Sequence, residues 1–284
     1  MVVLQKTTDV RKLALIANDL RVDIIKMLAE AGSGHSAGPF GLADIFACLY
    51  FGVLNHDPQN TSWDGRDRLV LSPGHCAPVR YAAMAEAGFF PKDELKTLRK
   101  LGSRLQGHVD RIWLPGLENT AGSLGQGTGI AAGMALAAKK DGKNHSVFVC
   151  VSDGECDEGS TWEAAMFAAH YKLDNLIAFV DRNDIQIDGF THDVMNLEPF
   201  ADKWLSFGWN VFIQDGHDIA KILKAFEWAK AKRGSGKPSV IIFKTTPGKG
   251  VSFMEGKAEW HGKPPSKEEA EKALTELAEA RAKI

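Results

Sequence analysis

Apolar residues recur at three-four spacing from Val10 through Leu13, Ile16, Ala17, Leu20, Ile24 and Leu28, the stripe of a helix that buries one face. The glycines and proline of "AGSGHSAGP" end it. A second helical stretch, from about 40 to 54, leads to "RLVLSPGH", a short Leu and Val run closed by Pro-Gly that predicts a buried strand. Beyond residue 122 the pattern alternates: helix 124–140, strand 146–151, helix 160–171, strand 176–181, helix 200–207, strand 210–214, helix 218–232, strand 239–244. Apolar runs without polar alternation imply strands covered on both faces, and the helices between them imply parallel pairing. The expected fold class is therefore α/β: a doubly wound, mainly parallel sheet with helices on both faces. One domain is expected over 1–265. The charged tail 266–284, "SKEEAEKALTELAEARAKI", reads as a helical extension with Ser266 as its N-cap, either a surface helix or the start of a linker.

The chain has 284 residues, 44% hydrophobic and 25% charged, with a formal net charge of -2. This balance offers no global basic field for nucleic acid or an anionic membrane, so neither is expected as a partner. An anionic ligand has to be held locally. Cys48, Cys76, Cys150 and Cys156 lack paired zinc spacings and read as reduced structural thiols. The N-terminal "MVVLQKTTDVRKLALIANDL" shows no leader pattern, and no apolar run approaches membrane-spanning length. A cytoplasmic location is expected.

Ligands of open α/β sheets bind at the carboxyl ends of the strands. Asp153 and the segment Asp181 to Asn183 follow the ends of two expected strands. One carboxylate, one amide oxygen and a loop carbonyl suit Mg²⁺, and leave room for the oxygens of a diphosphate that brings its own negative charge. The competing reading makes Asp153 and Asn183 turn formers. "AGSLGQGTGIAAGMALA" is a phosphate-loop candidate; Gly127, Gly129 and Ala132 fit G-x-G-x-x-A, and close helix packing explains the same small residues. A nicotinamide site fails on context, because no strand precedes the glycines and "DGE" opens a loop leading into a helix. Four of the nine histidines follow glycine, at His35, His75, His108 and His217, where roughly one is expected by chance. Glycine allows close approach to a ligand and imidazole both donates and accepts protons, so the set points to a polyhydroxylated substrate.

Taken together, "GSGHSAGPFG", "RLVLSPGH", "KLGSRLQGHVD", "GSLGQGTGIAAGMALA", "SDGECDEGSTWEA", "FVDRND", "DGHD" and "WHGKPP" resemble, in order, the N-terminal diphosphate-binding part of transketolase. Ser152 stands where that family usually has the first glycine of Gly-Asp-Gly. The resemblance implies thiamine diphosphate and Mg²⁺ as cofactors, with Ca or Mn as substitutes for the metal. It implies Asp153, the Asn183 side chain and the Ile185 carbonyl as metal ligands. It also implies Gly122, Ser123, Leu124, Gly154, His75 and His261 as cofactor contacts, and His35, His108 and His261 as residues that bind sugar hydroxyls and handle protons. Glu158 matches an acid near the family's dimer axis, its other reading being a first-turn helix glutamate. A diphosphate contact from Lys249 is left open, because Pro247 replaces a lysine frequent in animal-like members.

The family continues with a pyrimidine-binding domain, which supplies a catalytic glutamate, and a C-terminal domain, and this chain is expected to stop before both. The resemblance implies the N-terminal subunit of a split transketolase, forming an α2β2 heterotetramer with a C-terminal transketolase subunit, the substrates being sugar phosphates of the pentose phosphate type. The reaction would pass a two-carbon ketol unit from ketose to aldose. Alternatives are a specialised-sugar transketolase, part of a deoxyxylulose-phosphate-type synthase, and a non-catalytic paralogue.

Overall fold

The computed structural model describes residues 6–284. The first five residues, part of the stretch read as lacking a leader, lie outside the described residues. The long helix α1 (Val10–Ala31) is capped by Asp9 and stopped by Gly32 at φ 59°, a left-handed position that glycine adopts at little cost. Two short helices follow, α2 (Ala37–Gly41) and α3 (Ala43–Cys48), the latter loosening into a π turn over Leu49–Val53. Strand β1 (Arg68–Leu71) and helix α4 (Ala77–Glu86) precede a long connection of turns that ends at α5 (Gln126–Lys140). Next come β2 (Val147–Ser152), α6 (Gly159–His170) and β3 (Leu176–Arg182). A small hairpin, β4 (Ile185–Gln186) with β5 (Gly189–Phe190), leads through the turn α7 (Thr191–Val194) to α8 (Phe200–Ser206). The chain finishes with β6 (Asn210–Asp215), α9 (Ile219–Ala231), β7 (Ser239–Lys244) and α10 (Lys267–Arg281).

The strands form one parallel sheet in the order β1-β2-β3-β7-β6, the doubly wound arrangement expected from the apolar runs. Side chains alternate across it. Leu69, Phe148, Phe179 and Phe243 enter the core beneath α1, α3, α4 and α9, whereas Val70, Val149, Val180 and Ile242 enter the core beneath α5, α6 and α8. The second face is built from smaller residues, with Ala131, Ala135, Ala165 and Ala168 supplied by the helices, so those helices lie close to the sheet. The helix expected over 40–54 is interrupted at Leu42, where a side chain on Gly41 would come within 3.1 Å of the Thr246 carbonyl oxygen. Helix α4 and the hairpin were not part of the sequence expectation. All four cysteines are buried and free, their thiol pKa values pushed up by burial, as expected of structural thiols. No helix among the described residues is long and apolar enough to cross a membrane.

Helix α10 docks along α1. Ser266 and Glu269 form a reciprocal capping box at its start, and Ala270, Ala273 and Leu277 enter the same core as α1. Asn18 Nδ2 donates to the Leu277 carbonyl at 3.1 Å, and Arg281 pairs with Asp19 at 2.5 Å. Just ahead of the helix, Ser36 Oγ donates to the Lys263 carbonyl at 2.7 Å, which ties this segment to the loop bearing His35. Truncation Leu277→Ala is expected to cost about 2–5 kcal/mol in urea unfolding; a loss below about 0.5 kcal/mol, as for a surface change, would show that α10 adds no core.

Candidate active site at the carboxyl edge of the sheet

The carboxyl ends of the strands face a cavity of about 370 Å³. Four histidines reach it from separate segments. His35 lies between α1 and α2, His75 in the turn after β1, His108 in the long connection, and His261 after the 3-10 turn Ala258–Trp260. Ring centroids are 5.1 Å apart for His35 and His75, 5.0 Å for His75 and His261, 5.7 Å for His35 and His261, and 6.3 Å for His35 and His108. A Cβ on Gly74 would meet His108 Cδ2 at 2.8 Å, Ala121 Cβ at 2.9 Å and Gly122 N at 3.0 Å. Only glycine lets these segments converge there. Gly122 and Leu124 also line the cavity, while Ser123 between them is exposed and outside the lining.

Burial disfavours the imidazolium at each of these histidines. The His35 pKa is lowered to about 4, first by burial and then by His261, His108 and Arg99. That of His75 falls well below its ordinary value, and those of His108 and His261 are lowered, all chiefly by burial. At neutral pH the cavity therefore holds a set of neutral imidazoles, each with one donor and one acceptor nitrogen. Nδ1 of His35 and Nδ1 of His261 are buried and have no partner among the described residues.

Asp153 follows β2 and is fully buried. Its Oδ1 accepts from Gly154 N at 2.8 Å; its Oδ2 accepts from Asp184 N at 2.7 Å and Arg182 Nη1 at 3.3 Å. Burial, then the neighbouring Asp181, pushes its pKa up to about 7. Asp181 itself is pushed up to about 6 by burial. Asn183 Nδ2 donates to Asp181 Oδ2 at 2.8 Å, and Asn183 Oδ1 accepts from Ile185 N at 3.0 Å. A Cβ on Gly154 would meet Gln186 Cβ at 3.0 Å and lie 3.7 Å from the Ile185 carbonyl oxygen, so the loops after β2 and β3 lie against each other. Asp153 and Asn183 sit behind Gly154 and Ile185, which line the cavity. Among the described residues no cluster of three His, Cys, Asp or Glu side chains could hold a metal; the donors here are a carboxylate, an amide oxygen and a main-chain carbonyl. Such hard oxygen donors fit Mg²⁺ with a phosphorylated ligand. The fit extends to charge: two buried carboxylates stand against the single Arg182 guanidinium.

Glu158 lines the cavity at the N-cap of α6 and makes no capping bond there. Lys249 pairs with Glu255 at 3.3 Å. His217, the fourth Gly-His histidine, lies elsewhere: its Nδ1 bonds Asp44 Oδ2 at 2.9 Å and its Nε2 accepts from Thr246 N at 2.7 Å, with Arg21 completing the buried group. Gly127 of the G-x-G-x-x-A stretch serves packing, its N donating to Ser72 Oγ at 3.0 Å with the helix set against Ser72, whereas a Cβ on Gly129 would meet nothing within 4 Å. Sequence reasoning missed Ser72 and Glu155, and named Asp181 only as the start of a segment, with no role of its own. Asp181 takes both the Asn183 amide and Thr245 Oγ1, the latter at 2.5 Å, and so turns the Asn183 oxygen away from itself. An acid one residue from the end of a strand was the available signal.

In an NMR titration of the free chain, the His35 ring is expected to titrate near 4 rather than near 6.5. Because the folded pKa lies below the unfolded one, its share of stability is complete above about pH 6.5 and is lost as pH falls toward 4. A midpoint near 6.5 would contradict the buried neutral cluster.

The family description "Transketolase, thiamine diphosphate binding domain" matches residues 12–280. The chain is 45% identical over 261 residues to a 6-deoxy-6-sulfo-D-fructose transketolase subunit of Clostridium sp. (strain MSTE9), covering 92% of this chain and 94% of that one. It is 42% identical over 262 residues to an apulose-4-phosphate transketolase subunit of Actinobacillus succinogenes, with the same two coverages. Among solved structures, transketolase from Campylobacter jejuni superposes with a TM-score of 0.87 at 36% identity, over 95% of this chain and 42% of that one. The chain thus spans about two fifths of that solved protein and nearly all of the two subunits. A doubly wound sheet with these motifs at its carboxyl edge, matched along almost its whole length, places the chain in the transketolase family as an N-terminal, thiamine diphosphate-binding subunit.

Proposed function

We propose that the cavity binds thiamine diphosphate through a divalent cation, Mg²⁺ in the first place, held by Asp153, the Asn183 side chain and the Ile185 carbonyl. The observation that carries this reading is the close approach of the loops after β2 and β3, which bear these groups, beside a pair of buried carboxylates whose negative charge is only partly offset. Gly122, Ser123, Leu124, Gly154, His75 and His261 would contact the cofactor. When bound, thiamine diphosphate supplies the nucleophilic carbon and the electron sink of ketol transfer. The protein's part is orientation and proton handling. His35, His108 and His261, kept neutral by burial, would bind sugar hydroxyls and accept or return a proton at a ring nitrogen. Glu158 would belong to a polar link between two copies of the site.

A partner subunit carrying a pyrimidine-binding domain and a catalytic glutamate would complete the site, two copies of each chain forming the enzyme. Exposed Ile130 on α5, Met166 and Phe167 on α6 and Tyr171 at the α6 C-cap support assembly, because apolar exposure marks interaction surfaces. Buried free cysteines support a reducing, cytoplasmic setting. Donor and acceptor would be a ketose phosphate and an aldose phosphate of the pentose phosphate type. The printed names of the two subunit relatives favour a second reading, a transketolase for a less common sugar.

The test is to mix this chain with its partner subunit, thiamine diphosphate and Mg²⁺, and to profile ketol transfer over several ketose donors. Turnover is expected only in the complete mixture; none with any donor, despite cofactor binding, would favour a non-catalytic role. In calorimetry, Asp153→Ala is expected to abolish Mg²⁺-dependent cofactor binding with the circular dichroism spectrum unchanged. Wild-type affinity in that variant would rule out the metal assignment.

A further inference from the structure

Helix α5 begins without a side chain of its own to cap it, since its N-cap is Gly125 at φ 79°. The first N–H groups of a helix need acceptors. Here they come from residues distant in sequence. Gly125 N donates to Glu155 Oε1 at 2.7 Å, and Gly127 N donates to Ser72 Oγ at 3.0 Å. Ser72 Oγ in turn donates to Glu155 Oε1, and Ser152 N donates to Glu155 Oε2 at 3.3 Å. Glu155 is fully buried, and no ion pair engages it among the described residues. One carboxylate thus joins the end of β1, the end of β2 and the start of α5.

The segment immediately before this cap runs from Gly122 to Leu124, and Gly122 and Leu124 line the cavity. Gly125 N and Gly127 N are both engaged, so this helix end does not present them to a phosphate. A carboxylate at a helix N-terminus is favoured by the helix dipole, and donors from three elements hold this one in a single place.

We infer that Glu155, supported by Ser72, is a positioning residue that fixes the Gly122–Gly125 wall against which thiamine diphosphate binds. The inference rests on the proposed cofactor site for its effect on affinity, and on the hydrogen bonds alone for its effect on the wall. Removing the carboxylate leaves Gly125 N and Ser152 N without acceptors and frees the turn to open. Glu155→Gln keeps an acceptor for Gly125.

Two readouts on the full chain separate the possibilities: hydrogen exchange over 122–127 and thiamine diphosphate affinity with Mg²⁺ by calorimetry. Glu155→Ala is expected to speed exchange at 122–127 while β2 and β3 keep their protection. It should also weaken cofactor binding about 10–100-fold, the range for residues that orient ligand-binding groups. Glu155→Gln should recover most of that loss. If Glu155→Ala fails to fold, Ser72→Ala, which removes the acceptor of Gly127 and one donor to the carboxylate, is expected to give the same local exchange pattern. Wild-type exchange at 122–127 together with wild-type affinity in Glu155→Ala would overturn the inference. If the unaltered chain binds no cofactor, the fault lies with the proposed site, and the exchange measurement still decides whether Glu155 holds the wall.

Discussion

Two carboxylates buried side by side at the ends of adjacent parallel strands set the terms for the rest of this site. Ser152 and Asp181 are register partners in β2 and β3, so Asp153 and Asp181 emerge on the same edge of the sheet. Moving one such carboxylate out of water is costly, and two together repel. Each is pushed up toward neutral pH, and the cation nearest to Asp153 is Arg182. In the proposed site, a divalent ion with oxygen ligands would relieve that imbalance, and an anionic diphosphate would follow the ion. The histidines, lowered in pKa by burial, would then face the organic part of the ligand as neutral imidazoles.

The fold supplies this arrangement through backbone geometry more than through side-chain variety. A parallel sheet sends all its carboxyl ends to one edge, and loops at that edge are free to differ without disturbing the core. Close approaches at Gly74 and Gly154 let the loops converge on one cavity. The hydrogen bonds from Thr245 to Asp181 and from Thr246 to His217 tie the end of β7 to the same edge. Helix α10 packs against α1, and the segment before it carries His261 into the cavity.

Much of the fold was legible because both faces of the sheet are covered. "VFVCVS" and "LIAFVDR" read as buried strands, and the helices between them carry small residues on the buried side. Short elements were not legible: β4 and β5 span two residues each, too few for any periodicity to register. The site was partly legible. His35, His75 and His108 stood out by following glycine, and the structure gathers them with His261, whose neighbour is Trp260. His217 shares the same local pattern but serves a buried group with Arg21 and Asp44, because Gly-His says only that the backbone is tight there. Glu155 was silent for a different reason. Its partner Ser72 lies 83 positions away, and a bond made only by the folded topology leaves no mark on the local sequence.

The central claim is that the corner formed by the loops after β2 and β3 holds a divalent cation, and through it the diphosphate. The most direct measurement is a crystal structure of the chain grown with thiamine diphosphate and Mn²⁺, the metal located by its anomalous scattering. The account predicts a single strong peak with Asp153, the Asn183 amide oxygen and the Ile185 carbonyl as its protein ligands. A metal bound elsewhere, or a cofactor bound in the cavity with this corner free of metal, would contradict it.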